Sequence, residues 1–127
     1  MQSKPVGWFE IYVQDLNRAK AFYEAVFAFE MAPLPSPDPS FQMLAFPGPM
    51  DDSHGCSGSL VKMEGGPCGG GGGVVIYFMC KDCAVEAGRV QAAGGQLFKP
   101  KFAIGQYGFA ALAVDTEGNM IGLHSMT

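Results

Sequence analysis

Charge is scarce in this chain, at 16% of 127 residues, and Lys and Arg form no cluster. The net charge is −4 and the isoelectric point about 4.9. Neutralising phosphates takes grouped cations, so nucleic acid and anionic membranes are excluded as partners. Long apolar runs are missing as well. Polar and charged residues interrupt each run before a secretory signal or a membrane span could form, so the default compartment is the cytoplasm. The glycine run within Glu64–Gly73 lacks the Lys-Ser/Thr of a phosphate loop, and a strand rather than a helix follows it. The four cysteines, Cys56, Cys68, Cys80 and Cys83, contain one C-x-x-C. Zinc would need two good ligand pairs on rigid turns, and no disulfide framework is suggested. Reduced, incidental thiols are the expectation, with a thioredoxin-type pair as the alternative.

What the chain does have is a repeated pattern. In Gly7–Phe29, Phe9, Ile11 and Val13 alternate with Trp8, Glu10 and Tyr12, the period of a half-buried strand. Asp15 stands where a helix N-cap belongs, and Leu16, Ala19, Phe22, Tyr23, Val26 and Phe27 recur at helical spacing. The aliphatic strand face should pack on that helix, which turns Trp8, Glu10 and Tyr12 the other way. From Val74 the pattern returns: an apolar strand, Asp82 in the cap position, then Val85, Ala87, Gly88, Val90 and Ala93 up to a Gly94-Gly95 stop. Superposing Val13-x-Asp15 on Cys80-x-Asp82 puts Tyr12 on Met79, Glu10 on Tyr77 and Trp8 on Val75. Further strands are predicted at Phe41–Phe46, Ser57–Met63, Gln96–Phe98, Phe109–Val114 and Asn119–Ser125.

The prediction is one domain over residues 1–127 made of two β-α-β-β-β repeats, 7–63 and 74–125, joined by a flexible glycine-rich linker at 64–73. At 48% hydrophobic residues, including 10 Phe and 8 Met, the chain can fill a core and still line a pocket. Met31–Ser40, with four prolines, reads as a loop or extended edge. Asp51, Asp52 and His54 fall in a Pro/Gly segment; they read as a solvated turn, with a metal site as the alternative.

The opening FEIYV-x-D-x-x-R-A-x-x-FYE, the return at VIYF, the AAGG helix end and the closing DTEGNMIGLHS resemble the vicinal oxygen chelate superfamily. This is the glyoxalase, bleomycin-resistance and extradiol dioxygenase group, and the likeness extends over roughly Gly7 to Ser125. It implies an α+β fold in which two modules form a curled, cup-shaped mixed β-sheet, with helices on the convex side and a homodimer completing the assembly. The family's metal-ligand positions fall here on Trp8, Ser59, Val75 and Gly122. None offers more than a weak hydroxyl to a divalent cation, so the expectation is no metal and no cofactor.

Candidate site residues follow from the face assignment. Glu10, between Trp8 and Tyr12, is a candidate general base, or the group that orients a cationic or hydroxylated ligand. Tyr77 and His124, the latter two residues beyond Gly122, are candidate acids. Trp8, Tyr12, Met79, Tyr107 and Phe109 are candidate ligand-binding residues. Two functions are open: metal-independent binding of a small amphipathic or aromatic molecule, as in the bleomycin-resistance branch, or a metal-free isomerase or lyase acting on a carbonyl compound. Metal-dependent glyoxalase or dioxygenase activity is disfavoured by the missing ligands.

Overall fold

Two aspartates start the two helices. β1 (Val6–Tyr12) leads into α1 (Leu16–Phe27) through Asp15, whose side chain accepts the Arg18 N–H at 3.0 Å. β5 (Val74–Met79) leads into α2 (Cys83–Ala87) through Asp82, which accepts the Ala84 N–H at 3.0 Å. Each carboxylate satisfies an amide that the first helical turn leaves without a partner. The computed structural model describes residues 5–48, 55–65 and 72–127. It divides into two compact units, Trp8–Val74 and Met1–Gly7 with Val75–Thr127.

In the first unit α1 is followed by β2 (Ala32–Leu34), β3 (Phe41–Ala45) and β4 (Ser57–Met63). The strands lie in the order β2-β3-β4-β1, antiparallel except for the parallel pair β4–β1. In the second unit α2 is followed by β6 (Gln96–Ala103), a single 3-10 turn (Gly105–Tyr107), β7 (Phe109–Val114) and β8 (Met120–Ser125). Their order is β6-β7-β8-β5, again with only the last pair parallel. Strand for strand, the second module repeats the pairing of the first. The fold is α+β with mixed sheet, as the two repeats predict.

Register partners share a sheet face, so the pairings show which residues stand together. Trp8, Glu10 and Tyr12 pair with Ser57, Ser59 and Val61, and Ser59 pairs in turn with Ala45. On the opposite face, Phe9 and Ile11 join Tyr23, Phe27, Phe29 and Phe46 around an apolar recess of about 290 Å³. Helix α1 therefore covers the aliphatic face of β1, as the alternation predicts. It covers that face loosely: none of its residues is buried, and Phe22 and Phe27 are 58% and 60% exposed. The second unit packs more tightly. Cys83 and Ala87 of α2 meet Ala111 and Leu123, with Phe78, Leu97 and Phe109 against them.

Two elements differ from the sequence reading. Helix α2 ends at Ala87 rather than running to Gly94. Gly88 weakens helix propagation, and Arg89, Val90 and Gly94 donate to carbonyls three residues back, the tighter spacing of 3-10 turns. Strand β6 runs past Phe98 to Ala103 in spite of Pro100. It is an edge strand with register shifts on both sides of Lys99, where a missing N–H is tolerated. The proline-rich Met31–Ser40, read as a loop or extended edge, contributes the short edge strand β2. Asp51, Asp52, His54 and Cys68 lie outside the described residues.

Candidate ligand site

The first unit brings together three residues that alternation had placed on one face. Glu10 is only 9% exposed, although β1 is otherwise half-buried. Its Oε2 accepts the Trp8 indole N–H at 3.1 Å, and its Oε1 accepts the Tyr12 hydroxyl at 2.6 Å. An indole nitrogen can only donate and an ionised carboxylate can only accept, so the three side chains match as donor, acceptor and donor. The cause is local. Residues two apart on a strand point the same way, and two aromatic rings on either side of a glutamate exclude water from it.

Beside Glu10 stands Ser59, its register partner on the parallel strand β4. Ser59 is fully buried, and its Oγ has no hydrogen-bond partner among the described residues. Such an oxygen loses its water without replacement, which is uncommon in folded proteins and asks for a functional or structural reason. On the far side of Ser59 the register partner is Ala45, a single methyl. The alternation of serines in Ser57-Gly58-Ser59 was the available sequence signal. The family likeness had marked Ser59 only as a metal position, without linking it to Glu10.

In the second unit, Tyr77 lies over Gly122, its register partner. A Cβ on Gly122 would come within 2.2 Å of the Tyr77 ring. His124 is half-buried and its Nε2 lies 2.6 Å from the Tyr107 carbonyl. A carbonyl only accepts, so Nε2 carries the proton and Nδ1 is the nitrogen left for other chemistry. Tyr107 thus acts through its backbone, fixing the imidazole. Met79 pairs with His124 and packs across Gly7, where a Cβ would meet its side chain at 2.3 Å.

Phe109 is a correction. Its register partner is Ser125, and its ring packs against the Cys83, Ala87, Ala111 and Leu123 cluster on the helix side. The ring also lies under the Lys101 ammonium, 4.7 Å from its centroid. The strand begins one residue after Gly108, and that phase turns Phe109 into the core rather than onto the Tyr77 face.

The C-x-x-C pair is two free thiols. Cys83 is fully buried, and its backbone N–H donates to Ser125 Oγ at 2.9 Å. Burial first, and the Glu86 carboxylate second, push the Cys80 thiol up to about 11. A thioredoxin-type pair needs the reverse, a thiolate stabilised at a helix N-terminus.

Residues 6–46 match the family described as Bleomycin resistance protein-like N-terminal. No curated protein sequence matches the chain. Among solved structures, Streptomyces coelicolor methylmalonyl-CoA epimerase in complex with 2-nitronate-propionyl-CoA superposes with a TM-score of 0.69 at 17% identity, over 98% of each chain. Methylmalonyl-CoA epimerase from Mycobacterium tuberculosis gives 0.70 at 15% identity, over 100% of this chain and 92% of its own. A hypothetical protein from Bacillus halodurans gives 0.73 at 12% identity, over 100% and 96%. The chain thus has the fold of these structures, and its first module, over residues 6–46, carries the bleomycin-resistance-like pattern.

The superfamily's metal positions can now be tested against this chain. Trp8 donates its only polar hydrogen to Glu10. Ser59 has only a hydroxyl, Val75 is buried and apolar, and at Gly122 the Tyr77 ring lies where a side chain would begin. No group of three or more His, Cys, Asp or Glu side chains suited to a metal occurs among the described residues. These residues do not fit the metal of vicinal oxygen chelate proteins.

Proposed function

We propose that this protein binds a small amphipathic or aromatic organic molecule without a metal, through Trp8, Glu10 and Tyr12. The observation that carries the reading is the Glu10 carboxylate, nearly buried and held from both sides by aromatic donors. A buried polar group with aromatic walls gives apolar contact area and one orienting interaction, the combination by which small-molecule sites achieve selectivity. The match of residues 6–46 to a bleomycin-resistance-like family supports sequestration or sensing over turnover. The assembly we propose is a homodimer, as the superfamily likeness implies, and light scattering on the purified protein tests it.

The test uses Trp8, the chain's single tryptophan. Its emission reports on the hydrogen bond to Glu10 itself. A panel of small aromatic and amphipathic compounds should contain members that shift the emission saturably and raise Tm, with Glu10→Gln removing the response. If no compound moves Trp8 emission, the reading fails.

A second reading has one observation in its favour, the structural likeness to methylmalonyl-CoA epimerases. Here Glu10 would take a proton from the carbon beside a carbonyl, and the protein would be a metal-free isomerase or lyase. Deuterium incorporation next to the carbonyl of a bound compound, lost in Glu10→Gln, would establish it. Binding without exchange would leave the first reading in place.

A further inference from the structure

Ser59 supplies a detail that the binding reading leaves open: what kind of group meets Glu10. Its Oγ is buried without a partner among the described residues, on the same sheet face as the carboxylate and on the adjacent strand. Neighbouring strands stand about 4.8 Å apart, so one small group can touch both side chains. That group must donate to Glu10, because a carboxylate accepts only, and it must also give Ser59 a partner.

Resting on the small-molecule reading above, we propose that the ligand carries a primary ammonium group, which bonds Glu10 and Ser59 Oγ together and takes the place of the Trp8 indole on the carboxylate. Three features of the geometry favour an ammonium over a neutral hydroxyl. It has three donors, enough to satisfy Glu10 and Ser59 at once. Its bond to a carboxylate pairs two opposite charges, whereas the indole N–H brings no charge of its own, so displacement of Trp8 runs downhill. The indole and phenol flanking Glu10 offer ring faces that attract a cation. Displacement is required in any case. Ser59 is fully buried and Glu10 nearly so, and an entering group reaches them only when a flanking ring moves aside.

The experiment compares three probes of one size and different head group: benzylamine, benzyl alcohol and benzoate, titrated at neutral pH with Trp8 emission as the readout. Benzylamine should bind at least about 10-fold more tightly than benzyl alcohol, because only the ammonium brings a charge opposite to that of the carboxylate. Benzoate should not bind. In Ser59→Ala, benzylamine affinity should fall about 5–30-fold with the circular dichroism spectrum unchanged. Equal or tighter binding of benzyl alcohol or benzoate would overturn the ammonium assignment and leave the small-molecule reading standing. So would silence from all three probes when other compounds of the panel still shift Trp8. Unchanged benzylamine affinity in Ser59→Ala would remove Ser59 from the site. Failure of every compound to move Trp8 would overturn the small-molecule reading itself.

Discussion

Glu10 and Ser59 face each other across one strand pair, yet the fold treats them in opposite ways, and mutation should show it. Glu10 has its two oxygens bonded by Trp8 and Tyr12. Glutamine there would present an amide N–H to a donor, so Glu10→Gln should cost about 1–3 kcal/mol and lower Tm. Ser59 carries a buried oxygen without a partner among the described residues. Removing it takes away a desolvation penalty, so Ser59→Ala should stabilise the ligand-free protein by about 1–2 kcal/mol, a rise in Tm of roughly 3–8 °C. Thermal unfolding of the two variants side by side measures both signs. A fall in Tm for Ser59→Ala would mean that the hydroxyl is bonded in solution. Stability gained where affinity is lost is the expected mark of a residue kept for binding.

Among the elements, the parallel pair β5–β8 makes the sharpest claim. The Tyr77 ring lies where a Gly122 side chain would begin, 2.2 Å from an ideal Cβ. Gly122→Ala should therefore cost about 1–3 kcal/mol by overpacking, read as a lower urea midpoint. In Tyr77→Ala the same change should cost much less, because the clashing ring is gone, and the double-mutant cycle isolates that coupling. Helix α1 depends more on its cap than on its packing, since none of its residues is buried. Asp15→Ala should cost about 1 kcal/mol in the same assay. The C-x-x-C turn into α2 should be chemically quiet. With the Cys80 thiol pushed up to about 11 and Cys83 buried, iodoacetamide at pH 8 should label both far more slowly than it labels the unfolded chain, as peptide mapping would show.

For the whole molecule, acid sensitivity follows from three carboxylates. The Met31 backbone N–H, then Lys20, hold Glu24 below its ordinary 4.5. The Lys101 ammonium holds Asp82, and the Asn119 amide Asp115, below their ordinary 3.8. Groups lowered in the folded state add stability above their ordinary values and lose it as pH falls through the lowered ones. Tm should therefore stay level from about pH 7 to 5 and decline below about pH 4, modestly, because all three groups face solvent. Metal should matter little: after dialysis against nickel, zinc or manganese, mass spectrometry should find well under one ion per chain. Stoichiometric retention would overturn the assignment of Trp8, Ser59, Val75 and Gly122 as non-ligands.

Much of this architecture is written in local pattern. Strand alternation and the Asp15 and Asp82 caps depend on neighbours in sequence, so the repeat, the helix starts and the Trp8–Glu10–Tyr12 face were legible without coordinates. Phe109 was misassigned because its face is set by where β7 begins, after Gly108, and its partner Ser125 is distant in sequence. The length of β6 was hidden by Pro100, which ends a strand unless the strand is at an edge, and edge position is a tertiary fact. The pairing of Glu10 with Ser59, and the burial that leaves Ser59 Oγ without a partner, arise only when β1 and β4 lie side by side. Residue type and spacing determined the chemistry available to this chain; which of those groups meet was decided by long-range strand pairing, because register depends on residues far apart in the sequence.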